Sequence, residues 1–205
     1  KRQAWCTLVI GLLGATAGEF ASFRIITTGV ADVVPEQTTG IYSPQAFWAA
    51  AAHRAPAAAT MAAHVDPATR YDQFTAALLQ DMAQPILLVN DPEYAALVQA
   101  HEGSHASLAS IEEDALGWTH AHMGELLCET WGLPDALTAS VAGHHGSPEP
   151  GLEIAQWAAF VEGPDNDVDL LVAEAQQRFG VGVEVVLEVL DEAVGRAAEI
   201  ANVFH

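Results

Sequence analysis

Phe74-Thr75-Ala76-Ala77-Leu78-Leu79-Gln80-Asp81-Met82 is the stretch on which the reading of this chain turns. With Tyr71 just before it, its apolar residues recur at gaps of three and four, the period of one helix face. Phe74, Leu78 and Asp81 fall near that face, so an acid stands beside an apolar stripe. The plain structural explanation is a carboxylate at the stripe's edge, bonded to a helix end. The run also has the outline of a metal-site helix, an apolar segment ending in an imidazole–carboxylate pair, with Gln80 in the imidazole's place. A neutral imidazole is a good divalent-metal ligand; an amide oxygen is a much weaker one.

Outward from this stretch, strand signals are scarce and helix starts recur. Ser43-Pro44, Asp66-Pro67 and Asp91-Pro92 each pair an N-cap residue with Pro at the first helical position. The spacing predicts a helix from Ser43 through Phe47, Trp48 and the alanine run, kinked or interrupted at Pro56. It predicts a second from Asp66 to Pro85 and a third through Tyr94, Leu97, Val98 and His101, broken near Glu102-Gly103-Ser104. Further helices are expected over 110–132, from Pro134 to about Gly143, over 152–162, and twice more before the end. Ser147 to Gly151 and Gly163 to Asp167 read as loops, and residues 25–42 as the least regular part. The architecture expected is all-α, a bundle of short helices. Two units are expected: a helical segment over 1–42, read as a truncated part of the same domain, and the main helical domain over 43–205.

Composition narrows the function. A hydrophobic content of 51% in 205 residues supports a sizeable core. The net charge is −20, with 27 acidic side chains against 7 basic ones and Lys1 the sole lysine. Phosphate backbones and anionic lipid need basic patches, so direct nucleic-acid binding and membrane docking are excluded as expectations. Cys6 and Cys128 make no disulfide framework and read as reduced core thiols of a cytoplasmic protein. Lys1-Arg2 followed by Trp5 to Gly14 imitates a secretory signal. Glu19, Phe20 and Phe23 carry the helical pattern past the apparent cleavage site, which favours a buried helix. The apolar run is shorter than the roughly 20 residues of a membrane span. The start at Lys1, not Met, is expected of a piece of a longer chain.

Asp81, His120, His144 and His145 are the candidates for chemistry. Adjacent helix residues point about 100° apart, so one metal would rarely take both His144 and His145. A His near a helix C-terminus also has the simpler role of bonding the last free carbonyls. His120 and His122 cannot face one point, so one is expected inside and the other on the surface. His101 and His105 have ligand spacing, but Gly103 and Ser104 lie between them. No phosphate loop, nucleophile elbow or zinc-type cysteine spacing is present.

The ordered set of motifs resembles the HDOD domain, an output-domain relative of the HD metal-dependent phosphohydrolases. It comprises Phe47-Trp48 before the alanine helix, the Phe74–Met82 run, Gly117-Trp118-Thr119-His120 with Gly124, Trp131-Gly132-Leu133-Pro134, and Val141-Ala142-Gly143-His144-His145. The resemblance covers residues 44–162 and implies a compact helical fold of the HD/HDOD type holding the remnant of a metal site. Active HD enzymes use a leading His, the His-Asp pair and a later Asp, often with more His for a second metal. In this chain the leading position falls near Ala50 or Ala51, with His53 a turn away. The His of the pair is Gln80, and the later Asp falls near Ala159 or Phe160. The remnant pocket is therefore Asp81, His120, His144, His145 and Gln80, with no catalytic residue, no tightly held metal and no cofactor expected. The resemblance implies a bacterial signal-transduction module that works by binding a protein, a neighbouring regulatory domain or a small ligand. The alternative is a metal-dependent phosphohydrolase acting on nucleotides or phosphate esters.

Overall fold

The structure is a computed structural model and describes residues 43–101, 107–146, 150–163 and 165–201, with side chains to Ala197. The expectations placed on residues 1–42, on His105 and on the Glu102 and Ser147 breaks lie outside the described residues. Among the described residues there is no strand. The fold is all-α, as its helical periodicities require.

Helix α1 (Pro44–Val65) is the axis of the bundle. Ser43 Oγ accepts from the Ala46 N–H and caps it. Trp48, Ala51, Ala52, Ala55, Ala57, Ala58, Ala59, Met61 and Ala62 are all buried, so α1 is apolar on nearly every side, as an interior helix must be. Alanine suits this place because it lets neighbouring helices approach closely. Contrary to the expected interruption, α1 runs unbroken through Pro56. Pro56 is itself buried, and packing on all sides offsets its lost N–H bond.

One core cluster joins α1 to Phe74, Leu78, Leu79, Met82, Cys128 and Val141. The other joins it to Ile154, Trp157, Val161, Leu171, Val186 and Val189. Cys128 is a buried free thiol, with burial pushing its pKa up to about 11.

The second predicted helix is corrected by the structure. Asp66 makes no side-chain cap, and Pro67–Thr69 is a single 3₁₀ turn before α2 (Arg70–Leu79). Helix α2 stops at Leu79, and α3 (Ala83–Asn90) begins after a tight turn at Gln80–Met82. Pro85 therefore lies in the first turn of α3, where a missing N–H costs nothing. Asp91 caps α4 (Pro92–Ala100) by accepting from the Glu93 and Tyr94 N–H groups.

The single helix expected over 110–132 is two, α5 (Leu108–Leu116) and α6 (His120–Thr130). Gly117, at φ +73°, ends α5 in the left-handed region that glycine tolerates. Thr119 caps α6 in a reciprocal box: its Oγ1 accepts from the His122 N–H, and His122 Nδ1 accepts from the Thr119 N–H. Gly124 faces Val141 of α7 (Asp135–Gly143); a Cβ there would stand 2.8 Å from Val141 Cγ1. Helix α8 (Glu153–Ala158) is shorter than expected, and α9 (Val168–Phe179) and α10 (Val183–Ala201) complete the bundle, with α10 packed along α1. No helix among the described residues is long and apolar enough to cross a membrane.

Candidate functional site

The ends of three helix pairs meet around Asp81. The carboxylate sits in the α2–α3 turn, where Gln84 Nε2 donates to its Oδ1 at 3.0 Å. Arg54, reaching from the middle of α1, donates through Nη1 to Oδ2 in a close, buried ion pair. Oδ1 also lies 3.2 Å from His120 Nε2 and 3.2 Å from His144 Nε2. Burial opposes the charge on Asp81. The Arg54 guanidinium and the bonds from His120 and His144 outweigh it and hold the carboxyl well below its usual range.

His120 is the first residue of α6 and is fully buried. Glu112 of α5, also fully buried, orients it twice. Its Oε2 accepts from the His120 backbone N–H at 2.9 Å, and its carboxylate stands 2.7–2.9 Å from His120 Nδ1. The Tyr94 hydroxyl donates to Glu112 Oε1 at 2.6 Å, and the Tyr94 ring stacks on Trp118. Burial lowers the His120 pKa, but hydrogen bonds to Asp81 and Glu112 prevail and raise it to about 9. Burial, and behind it the Glu112 carboxylate, push the Tyr94 hydroxyl up, so it remains a donor.

His144 and His145 follow the last turn of α7. His144 Nδ1 lies 2.6 Å from the Val141 carbonyl and donates to it, the carbonyl-bonding role expected of a His at a helix end. Its Nε2 is 3.3 Å from His120 Nε2. His145 Nε2 is 3.1 Å from His120 Nε2. The two neighbours both reach His120 although α7 ends at Gly143 and His144 keeps helical backbone angles (φ −65°, ψ −22°). Burial, helped by the charges of His144 and His120, pushes the His145 pKa down to about 3.

One ligand atom from each of Asp81, His120, His144 and His145 lies within 4.8 Å of all the others. Gln80 is buried beside Asp81, and neither atom of its amide has a partner among the described residues. His122 is exposed and serves its cap, as one member of the His120/His122 pair was expected to. His101 is exposed just past the end of α4 and His53 half-buried on α1; neither joins the cluster.

The hydrolase ligand set does not fit these residues. Gln80 takes the imidazole's place. Ala50, Ala51, Ala159 and Phe160 carry no donor, and Arg54 holds the second oxygen of Asp81. A different set, three imidazoles and one carboxylate oxygen, does converge.

Sequence reasoning missed Arg54, Glu112 and Tyr94. Arg54 had a signal, being the one permanently charged side chain between Ser43 and His64 in an otherwise apolar run. Glu112 had none, because Glu113 and Asp114 beside it look the same in sequence.

Three solved structures share this architecture. A candidate phosphohydrolase from Shewanella amazonensis SB2B superposes with TM-score 0.72 at 18% identity, over 91% of this chain and 72% of that one. An HDOD domain protein from Geobacter sulfurreducens gives 0.66 at 17%, over 90% and 69%. A candidate signal transduction protein from Marinobacter aquaeolei VT8 gives 0.67 at 20%, over 89% of this chain but 44% of that one. At these identities the likeness speaks for the fold. No curated protein matches the chain. The model of the HDOD domain family matches residues 19–147, more than half of the sequence. The chain belongs to the HDOD family.

Proposed function

We propose that this protein is a non-hydrolytic regulatory module of bacterial cytoplasmic signalling, acting through a bound protein partner, a neighbouring regulatory domain or a small ligand. The observation that carries the reading is the pairing of Arg54 with Asp81. In an HD hydrolase the aspartate of the His-Asp pair serves a metal that activates water. Here its Oδ2 is held by a buried guanidinium, and its Oδ1 by Gln84 and two imidazoles. Without an open metal position there is little to generate hydroxide or to neutralise a phosphate. The strong net acidity supports a partner other than nucleic acid.

A phosphohydrolase is the second reading, favoured by the convergence of His120, His144 and His145 on Asp81. The test is turnover of nucleotides, cyclic dinucleotides and simple phosphate esters with added Mn²⁺, Fe²⁺ or Mg²⁺. The regulatory reading expects none above background. It expects Asp81→Ala and His144→Ala to lower stability, because each leaves a buried polar partner unpaired, typically costing about 1–3 kcal/mol. Turnover abolished by both substitutions at unchanged melting temperature would establish the enzyme instead.

A further inference from the structure

We infer that Val183, Leu187, Leu190 and Val194 of α10 form a docking stripe for a basic amphipathic helix of a partner protein or neighbouring regulatory domain. The inference gives the partner of the regulatory reading a chemistry and a place, and rests on that reading only for its biological purpose. The stripe shares no residue with the Asp81 cluster.

Helix α10 has more apolar surface than the bundle covers. Val186, Val189, Ala193 and Ala197 are buried, with α10 packed along α1. Beside that face runs a second row at gaps of four, three and four, the spacing by which one helix seats in another. Leu190 is half-buried against the core, which makes the row continuous with it. Val183, Leu187 and Val194 are 46%, 49% and 48% exposed. The other large apolar residues left exposed, Val65, Leu126, Phe160 and Leu170, are scattered singly over other parts of the bundle, which is ordinary. Three together in one row are not.

Charge selects the occupant. Glu184, Glu188 and Asp191 each follow a row member by one position, about 100° further round the helix, and all three are exposed. They make an acidic edge along one flank of the apolar row. His64 approaches Glu188 at 3.5 Å, and Arg196 is turned to Glu192, so neither cation neutralises Glu184 or Asp191. Two copies meeting antiparallel through this row would set acid edge against acid edge, and each copy carries a net charge of −20. Among the described residues this chain has no row of free cations to offer in return, since Arg54, Arg178 and Arg196 are all paired with acids. A helix with Leu or Ile at every third and fourth position and Lys or Arg alongside meets both features. Glu184 and Asp191 stand seven residues apart, roughly 10 Å along the axis, and match cations two turns apart on the partner.

The test titrates the full chain into a labelled helical peptide of about three heptads, with Leu at the core positions and Lys at the flanking ones, and reads fluorescence anisotropy. Saturable one-to-one binding is expected, weakened at least about tenfold when Glu replaces Lys in the peptide. Leu187→Ser/Val194→Ser should weaken it by a similar factor at unchanged helix content and melting temperature, because both side chains are at the surface. Glu184→Gln/Asp191→Asn should weaken it and flatten its salt dependence, whereas Glu113→Gln/Asp114→Asn on α5 should do neither. A Leu187→Cys thiol should be alkylated in the free chain and protected by the peptide. Parental affinity in Leu187→Ser/Val194→Ser, or equal weakening by the α5 pair, would overturn the inference. So would a dimer in sedimentation that Leu187→Ser/Val194→Ser dissolves, or a Leu187→Cys thiol already protected in the free monomer; these would assign the row to a second copy or to the chain's own segment. Failure to bind would overturn the docking stripe alone, because the regulatory reading is decided separately by phosphate-ester turnover.

Discussion

Replacing Arg54 by Met tests what holds Asp81 in the interior. The side chains of the pair are 8% and 12% exposed, so solvent screens them little. Met fills much of the same volume among the alanines of α1 and removes only the charge and the donors. Breaking a buried pair by deleting one partner typically costs 3–5 kcal/mol, because the other charge is left without compensation. Asp81 would retain the Gln84 donor and two imidazoles, which places the expected loss near the lower end, about 3 kcal/mol. For a chain of this size that is a fall in melting temperature of roughly 6–12 °C. Urea unfolding followed by far-UV circular dichroism, in chelator, measures it. The double variant Arg54→Met/Asp81→Asn should recover much of the loss, since the charge left bare in the single variant is gone. A loss under about 1 kcal/mol in the single variant, or a double variant as unstable as the sum of its singles, would refute the pairing as the source of stability.

In chelator, stability should peak near pH 6 to 7. His120, raised to about 9, contributes stability fully present below its unfolded value near 6.5 and lost as pH rises through 9, on the order of 3 kcal/mol. His145, lowered to about 3, is neutral in the fold while the unfolded chain takes up its proton, so stability also falls below pH 6.5. Asp81, held well below its usual range, adds stability present above about pH 4 and lost as pH falls further. Melting temperatures that stay flat from pH 6.5 to 9 would contradict the His120 assignment. Tyr94→Phe removes a donor to the buried Glu112 carboxylate and should cost about 1.5–3 kcal/mol in the same urea assay, with helix content unchanged. Gly124→Ala drives a methyl to 2.8 Å from Val141 Cγ1. The overpacking, about 1–3 kcal/mol, should outweigh a helix-propensity gain of about 1 kcal/mol, and trimming Val141 to Ala in the same chain should relieve it. A Gly124→Ala variant more stable than the parent would show that α6 and α7 have room to part.

What could be read from the chain divides by the range of the physics involved. The Ser43 and Asp91 caps were legible because a cap is satisfied within three residues. Asp66 carried the same signal, and the 3₁₀ turn after it took the backbone elsewhere. The division of α5 from α6 was available in Gly117 and Thr119, a left-handed stop followed by a cap. The apolar residues on either side, Ile111 and Leu116 before and Leu126 and Leu127 after, made the two read as one helix. Pro56 stood for a break that the burial of α1 on all sides overrode. The candidate residues Asp81, His120, His144 and His145 were found through their order along the chain. Their mutual distances were not, because they depend on where α2 and α7 stop. Glu112 was invisible, since only the approach of α5 to the α6 terminus singles it out from its acidic neighbours.

Charge at the centre links the retained donors to the lost hydrolase ligands. Asp81 and Glu112 are two buried carboxylates, and Arg54 is one permanent cation. Two against one leaves a single negative charge to be balanced in a place where burying an uncompensated charge is expensive. A proton on His120 supplies that balance with a bond to one neighbour. Arg54 thus does two things that a hydrolase's first metal would otherwise share: it neutralises the aspartate and closes off its second oxygen. Losing the imidazole at Gln80 removes a ligand only from the arrangement that Arg54 has already replaced, so it need not disturb the four donors that remain.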